Sequence, residues 1–172
     1  MLASQAAMEA QSNYRYSYET TDQSGATTKF VTEFVRPDRR HQTFAGFETI
    51  IIGKDVWTRV GGGAWKQLEP AQAALLNHPG AAAAATAMDK ETVTLEGADT
   101  LDGRAVNVYH SLYADKGVTN DSRYWIGVDD HLLYKISGVT DASALKLKGF
   151  GKSTLVGAYQ YNVPGLNIEA PK

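Results

Sequence analysis

Residues 13–38 read NYRYSYETTDQSGATTKFVTEFVRPD, and the pattern of this stretch indicates the type of fold. Tyrosines alternate with polar residues over 14–18, a period of two that is typical of a half-buried β-strand. Turn-forming residues at 21–25 are followed by a second strand over 27–36. Pro37 has no amide hydrogen to donate, so this strand is expected to end there. The stretch therefore predicts two antiparallel strands joined by a short turn.

The same alternation of short strands and tight turns continues outward from this hairpin. Connections of a few residues favour an antiparallel meander over parallel βαβ units. A sheet of about ten strands has to curl or close to hide its apolar face. Ile50, Ile51 and Ile52 are all apolar, so the pattern does not show which of them points inward. Further strands are predicted at 40–44, 48–52, 56–60, 64–68, 91–96, 104–113, 122–128, 132–138 and 146–161.

Two segments have a helical composition. Residues 2–12 contain no Gly or Pro and are rich in Ala and Gln, which predicts an N-terminal helix. Residues 70–77 start with Pro at a first helical position, and the Ala-rich residues 81–90 form either a second short helix or a loose loop. The prediction is a single α+β domain, 1–172. It is a curved antiparallel β-sheet, an incomplete and half-open β-barrel of about ten strands, with an N-terminal helix and a short helical lid inserted mid-chain at about 70–90.

Composition excludes several functional classes. The chain has 172 residues, a formal net charge of −2 and no cysteine. Such a charge gives no global field for nucleic acid or an anionic membrane, and without cysteine there is no disulfide, thiolate zinc site or thiol nucleophile. No stretch reaches the roughly 20 apolar residues of a membrane span. The first residues lack the regions of a signal peptide, so the protein is either cytoplasmic or begins after a removed signal.

No constellation of side chains predicts catalysis or metal binding. The histidines His41, His78, His110 and His131 lie on separate predicted elements and lack metal-ligand spacing. The carboxylates at 129–130 are typical of a solvated turn. Because no nucleophile–base pair can be nominated, the sequence predicts no enzyme, and it indicates no cofactor and no metal.

Large apolar side chains are spread over many of the predicted strands. If they line a cavity, they form a binding site for an apolar ligand. If the helices fill the sheet instead, they form an ordinary core, and composition does not decide between the two interpretations. The candidate lining residues are Tyr16, Phe30, Phe34, Phe44, Trp57, Leu75, Trp125 and Leu133.

Several short sequence segments, in this order along the chain, resemble segments of the LolA/LolB-like superfamily of bacterial cell-envelope proteins. They are FVRPD at 34–38, IIIGKDVW at 50–57, RYWIGVD at 123–129 with LLYK at 132–135, and YNVPGLNI at 161–168. The superfamily includes the periplasmic lipoprotein carrier LolA, envelope lipid-binding lipoproteins and the stress regulator RseB. Its fold is an incomplete antiparallel β-barrel covered by helices around an apolar cavity, and the resemblance implies the same architecture here.

The resemblance also implies a function and a cellular location. It implies a non-enzymatic periplasmic or envelope-exported protein, with its signal segment absent from this sequence, that binds lipid or lipoprotein acyl chains between the sheet and the lid. The alternative is an RseB-like protein-interaction or sensor domain with a filled core and an envelope protein partner. A lid with few large apolar residues favours this alternative.

One residue of the superfamily can be matched to this chain. Carriers that resemble it have an Arg-Pro at the end of an early strand, and the Arg reaches across the cavity to the lid helices. Arg36-Pro37 matches that position, which implies that Arg36 is a lid latch that donates hydrogen bonds to helix C-terminal carbonyls. In the alternative interpretation, Arg36 extends into solvent from the strand end.

Overall fold

The computed structural model describes residues 2–76, 91–146 and 151–172. Strands dominate it, and the helices are short. The elements in chain order are α1 (Leu2–Glu9), β1 (Asn13–Thr21), β2 (Thr27–Val35), β3 (Arg39–Phe44), β4 (Phe47–Ile52), β5 (Asp55–Val60), β6 (Lys66–Gln67), α2 (Pro70–Leu76), β7 (Glu91–Leu101), β8 (Arg104–Asp115), β9 (Val118–Gly127), β10 (Leu133–Asp141), a 3₁₀ turn (Ser143–Leu145) and β11 (Lys152–Tyr161).

The described strands form one curved, eleven-stranded sheet that does not close into a barrel. The strand order is β6-β5-β4-β3-β2-β1-β11-β10-β9-β8-β7, and each neighbouring pair is antiparallel. The first and last strands, β1 and β11, pair in the middle, while β6 and β7 are the two edges. This confirms the predicted half-open antiparallel sheet of about ten strands with an N-terminal helix.

Some predicted boundaries differ from the observed ones. The strand predicted at 64–68 shortens to Lys66–Gln67. The strand predicted from 146 begins only at Lys152, because a 3₁₀ turn precedes it and Lys146 ends that turn in the left-handed conformation, at φ 53°. Helix α2 matches the first predicted lid helix. The second, at 81–90, lies outside the described residues, so the complete lid stays a prediction.

The strand register separates the side chains into two faces. Tyr16 of β1 pairs with Tyr159 of β11, and Tyr18 pairs with Phe30 of β2, so these rings lie on the same side. We call the side that carries these rings the aromatic face. The opposite side carries the ionic ladder formed by Arg15, Glu33, His41, Glu48 and Arg59, and we call it the charged face.

Helix α2 packs on the aromatic face near one edge of the sheet. Ala73 of α2 forms a buried cluster with Ile51 of β4 and Val56 of β5, and Leu68 packs beside it. Ile51 pairs with Arg40, which in turn pairs with Phe34, so the cluster lies on the same side as the aromatic rings. The register question left open by the sequence is thereby answered. The middle isoleucine of the 50–52 run is the buried one, and its two neighbours lie on the charged face.

Candidate functional site

The aromatic face carries a connected network of rings. Neighbouring centroids lie 4.1–6.3 Å apart, within the range of stacked and tilted aromatic pairs. The network crosses the sheet from β4 through β3, β2, β1 and β11 to β10. Its members are Phe47, Phe44, Phe30, Phe34, Tyr14, Tyr16, Tyr18, Tyr159, Tyr161 and Tyr134.

The rings are packed most closely over Gly157. Tyr16 stacks on Tyr159 with centroids 4.1 Å apart and on Tyr18 with centroids 4.9 Å apart. Gly157 pairs with Tyr18, and a Cβ at this glycine would lie 2.7 Å from the Tyr16 ring and 2.8 Å from the Tyr18 Cβ. The missing side chain therefore leaves the space that the two rings occupy.

The rings of this network are only partly buried. Phe44 is 38% exposed, and every other member keeps part of its surface accessible. A filled core would bury such rings almost completely. In the described part of the structure, the aromatic face is therefore an incompletely covered apolar surface.

The tyrosine hydroxyls on this face stay protonated over the physiological range. Burial, reinforced by neighbouring tyrosines, raises the pKa of Tyr16, Tyr159 and Tyr161 well above the usual value of a phenol. For Tyr134, burial and then the hydrogen bond to Asp130 raise the pKa to about 12. The ring network thus presents uncharged rings with a few hydroxyl groups.

The structure brings four of the predicted lining residues together and places two elsewhere. Tyr16, Phe30, Phe34 and Phe44 all belong to the ring network. Trp57 does not share a face with Phe30 and Phe34, because it pairs with Ile50 on the charged face. Val56, the residue before it, is the one that points at α2 and is fully buried.

Trp125 also lies on the charged face. It pairs with Lys135, whose ammonium nitrogen lies 4.5 Å from the centre of the indole ring, and its indole N–H donates to Asp99 at 3.1 Å. Its neighbour Tyr124 takes the aromatic face instead, since Tyr124 pairs with Ile136. Large residues occur on both sides of β9, so alternation in the sequence could not show which of them lie on the aromatic face.

The two leucines of the predicted set are not part of the ring network, although the register puts Leu133 on the same side as Tyr124. Leu133 pairs with Ile126 just where the ladder shifts, between Leu133 and Lys135, and its carbonyl accepts a hydrogen bond from the Tyr161 hydroxyl at 2.7 Å. Leu75 lies within α2, but its side chain is outside the described part of the structure. Ligand binding by these two residues stays a prediction.

Arg36 contacts the segment that follows the N-terminal helix. Its Nε donates to the carbonyl oxygen of Gln11 at 2.8 Å, two residues beyond the end of α1, and its guanidinium carbon lies 5.9 Å from the centre of the Phe34 ring. The side chain is exposed. Arg36 therefore does bind a carbonyl near a helix C-terminus, and the described residues place that contact at α1.

The residue that reaches α2 is Arg40, which the sequence did not single out. Its Nη2 donates to the carbonyl oxygen of Leu76 at 3.3 Å, at the C-terminal end of α2. Burial lowers the pKa of Arg40, and its Nε is buried without a hydrogen-bond partner in the described structure. Arg40 pairs with Phe34, so a cation lies within the aromatic face. Arg40, Gln42 and Phe44 alternate along β3, and this period of two is the sequence signal that places Arg40 on the same face as Phe44.

The charged face is held by a ladder of ion pairs across β1 to β5. Arg15 bonds Glu33 at 2.6 Å, His41 lies 3.3 Å from both Glu33 and Glu48, and Arg59 bonds Glu48 at 2.8 Å. The hydrogen bond from Arg59 lowers the pKa of Glu48 despite the opposing effect of desolvation. This ladder fixes the strands from the side opposite the aromatic rings.

A metal centre and a membrane-spanning helix are both absent from the described residues. Among them, no group of three or more His, Cys, Asp or Glu side chains is arranged to hold a metal ion. Within the same residues, no helix has the length and apolar character needed to cross a membrane.

Comparison of the sequence with protein-family models and with curated proteins gives no match. Among solved structures, the Mycobacterium tuberculosis lipoprotein LppX has a TM-score of 0.56 at 11% identity, over 98% of this chain and 95% of that chain. LprF from Mycobacterium bovis has a TM-score of 0.57 at 12% identity, over 99% of this chain and 94% of that chain. MucB in complex with MucA(peri) has a TM-score of 0.49 at 10% identity, over 99% of this chain and 58% of that chain.

The likeness to LppX and LprF shows that this chain has the LolA/LolB-like fold. The resemblance inferred from the sequence segments is therefore confirmed for the fold. At 11–12% identity the likeness extends no further than the architecture.

Proposed function

We propose that this protein binds the apolar chain of a lipid, or the acyl chains of a lipoprotein, on its aromatic face, and that it does so in the bacterial cell envelope without catalysis. The observation that carries the proposal is the ring network, which is continuous across the sheet and keeps part of every ring accessible. The name of LppX, a lipoprotein with the same fold, supports the envelope as the location.

Burial of methylene groups supplies the affinity in this proposal. Each buried CH₂ contributes about 0.8 kcal/mol, so an acyl chain with about ten buried methylenes gains roughly 8 kcal/mol before the cost of association. Neutral tyrosine rings accept such a chain without a charge to desolvate. The face therefore needs no polar anchor to hold an acyl chain.

Two arginines tie the helical segments to the sheet. Arg40 binds the carbonyl of Leu76 at the end of α2, and Arg36 binds the carbonyl of Gln11 beyond α1. Ligand entry and release require these segments to move relative to the sheet. We therefore assign to Arg40 the role of latch for α2, and to Arg36 the same role for the N-terminal segment.

A matched pair of variants in one strand tests the proposal. Phe30 and Val31 are neighbours in β2, and the register puts Phe30 on the aromatic face and Val31 on the charged face. Binding of a fluorescent fatty acid to the delipidated protein should weaken about tenfold or more in Phe30→Ser and change little in Val31→Ser. Equal effects of the two substitutions, or no binding by the wild type, would contradict the proposal. No binding by the wild type is the result that the alternative, a protein-interaction domain with a filled core, predicts.

A further inference from the structure

Strands β10 and β11 separate at one end of the sheet. Their ladder runs from the pair Asp141 and Lys152 to the pair Lys135 and Ala158, and it stops there. Beyond this point β11 continues along β1 as far as Tyr161, while Leu133 of β10 pairs with β9. A cavity of about 530 Å³ lies at the separation, a size typical of small-ligand sites.

This cavity touches both faces of the sheet. Tyr159 and Tyr161 line it from the aromatic face, and Tyr134, which contacts Tyr161 edge-on, lines it as well. Lys135 and Gln160 line it as well, and they lie on the charged face. The cavity therefore lies where the ring network ends, and residues of both faces line it.

Two cations line the cavity with unused hydrogen-bonding capacity. The guanidinium carbon of Arg104 lies 3.9 Å from the centre of the Tyr134 ring, and the ammonium of Lys135 lies over Trp125. Neither cation has a hydrogen-bond acceptor among the described residues. A guanidinium stacked on a ring still presents its N–H groups at the edge, which is the geometry that binds carboxylate or phosphate.

The two carboxylates that line the cavity compete only weakly with a ligand for the two cations. Both oxygens of Asp130 already accept hydrogen bonds, Oδ1 from the Leu132 N–H at 3.0 Å and Oδ2 from the Tyr134 hydroxyl at 2.5 Å. Asp102 is exposed at the turn between β7 and β8, where water screens its charge. Free donors therefore exceed free acceptors in the cavity, which favours a ligand group rich in acceptors.

We propose that this cavity binds the anionic head group, a carboxylate or a phosphate, of an amphiphile whose chain lies on the aromatic face, with Arg104 and Lys135 as its cationic ligands. The inference rests on the proposed function, because the ring network is what places the chain beside the cavity. It adds a requirement for a head group of one charge sign that chain burial alone does not impose.

The test compares anionic and neutral ligands with equal chains. Binding of oleate and of oleyl alcohol, and of 1-oleoyl lysophosphatidate and monoolein, is measured by titration calorimetry below their aggregation concentrations. Arg104→Gln should weaken binding of at least one anion about tenfold and leave its neutral counterpart unchanged, since hydrogen bonds to a charged group are lost only for the anion. Arg123→Gln, which removes an arginine bound to Glu96 on the charged face, is the matched control and should leave all four affinities unchanged.

The outcomes separate this inference from the proposed function. Loss for oleate alone identifies a carboxylate site, loss for lysophosphatidate alone identifies a phosphate site, and loss for both identifies a general anion site. If the wild type binds all four ligands and Arg104→Gln affects anions and neutral ligands alike, the head-group site is wrong and chain binding stands. If the wild type binds none of the four, both proposals fail together.

Discussion

Tyr16 stacks on Tyr159 across the pairing of the first and last strands, with ring centroids 4.1 Å apart. The two residues are separated by most of the chain, yet they form the tightest ring contact of the aromatic face among the described residues. Their stacking is possible because Gly157, two residues before Tyr159, leaves room for the neighbouring rings. The ring network therefore depends on the pairing of β1 with β11 as much as on the tyrosine-rich sequence of β1.

Gly157→Ala is expected to destabilise the protein. The added Cβ would meet the Tyr16 ring at 2.7 Å and the Tyr18 Cβ at 2.8 Å, so the rings or the strand have to shift. Overpacking of this kind costs about 1–3 kcal/mol in the free energy of unfolding, measured by urea denaturation. Ala158→Ser adds one atom to the next residue, which is exposed on the charged face, and should change stability little. An equally stable Gly157→Ala variant would contradict the packing described here.

Arg40→Met is expected to loosen α2. The substitution removes the hydrogen bond to the Leu76 carbonyl while keeping an unbranched side chain beside Phe34. Amide hydrogen exchange in α2 should become roughly fivefold faster, as expected for the loss of about 1 kcal/mol. Arg36→Met is the control, and it should affect exchange near the end of α1 instead, because Arg36 binds Gln11. Unchanged exchange in α2 for Arg40→Met would remove Arg40 from the latch role.

Stability is expected to fall in alkali, in part because of Tyr134. Its pKa is raised from 10.0 to about 12 in the folded protein, so the folded state holds the proton more tightly than the unfolded state does. The stabilisation is complete below about pH 10 and is lost as pH rises from there to about pH 12. Urea denaturation at about pH 9 and about pH 11 should show a smaller loss for Tyr134→Phe than for the wild type. Tyr113→Phe serves as the control for hydroxyl removal, and an identical loss in all three proteins would contradict the role of Tyr134.

Stability is expected to fall in acid through the ladder on the charged face. The hydrogen bond from Arg59 lowers the pKa of Glu48 below its usual 4.5. Glu48 therefore contributes stability above about pH 4.5, and the contribution is lost as pH falls through the lowered pKa. Glu48→Gln should reduce the slope of unfolding free energy against pH in this range. Glu19→Gln, which removes a carboxylate paired with exposed Lys29, should leave the slope close to that of the wild type.

The sequence predicted the architecture better than the composition of the site. Period-two alternation and short turns were sufficient for the antiparallel sheet, and β1 and β2 follow the predicted tyrosine and phenylalanine spacing. The site was harder because β5 and β9 carry large residues on both sides. Trp57 and Trp125 therefore looked like lining residues, although Val56 and Tyr124 take the aromatic face.

Long-range partners were not accessible to local patterns. The pairing of Tyr16 with Tyr159 depends on the register of β1 against β11, which no local spacing encodes. The contact of Arg40 with the end of α2 likewise depends on where the helix packs, and this is decided by Ile51, Val56 and Ala73 together. Local pattern thus gives the faces of single strands, and tertiary packing decides which of those faces meet.

The most direct test of the central claim is native mass spectrometry of the protein purified from a bacterial envelope fraction, before and after solvent extraction. If the aromatic face binds acyl chains, the spectra will show a mass increment that extraction removes, the extract will contain lipid at near-stoichiometric amount, and added fatty acid or lipopeptide will be taken up again. A protein that carries no increment and takes up neither ligand would contradict this claim. The aromatic rings would then be a structural surface, and the function would lie elsewhere on the molecule.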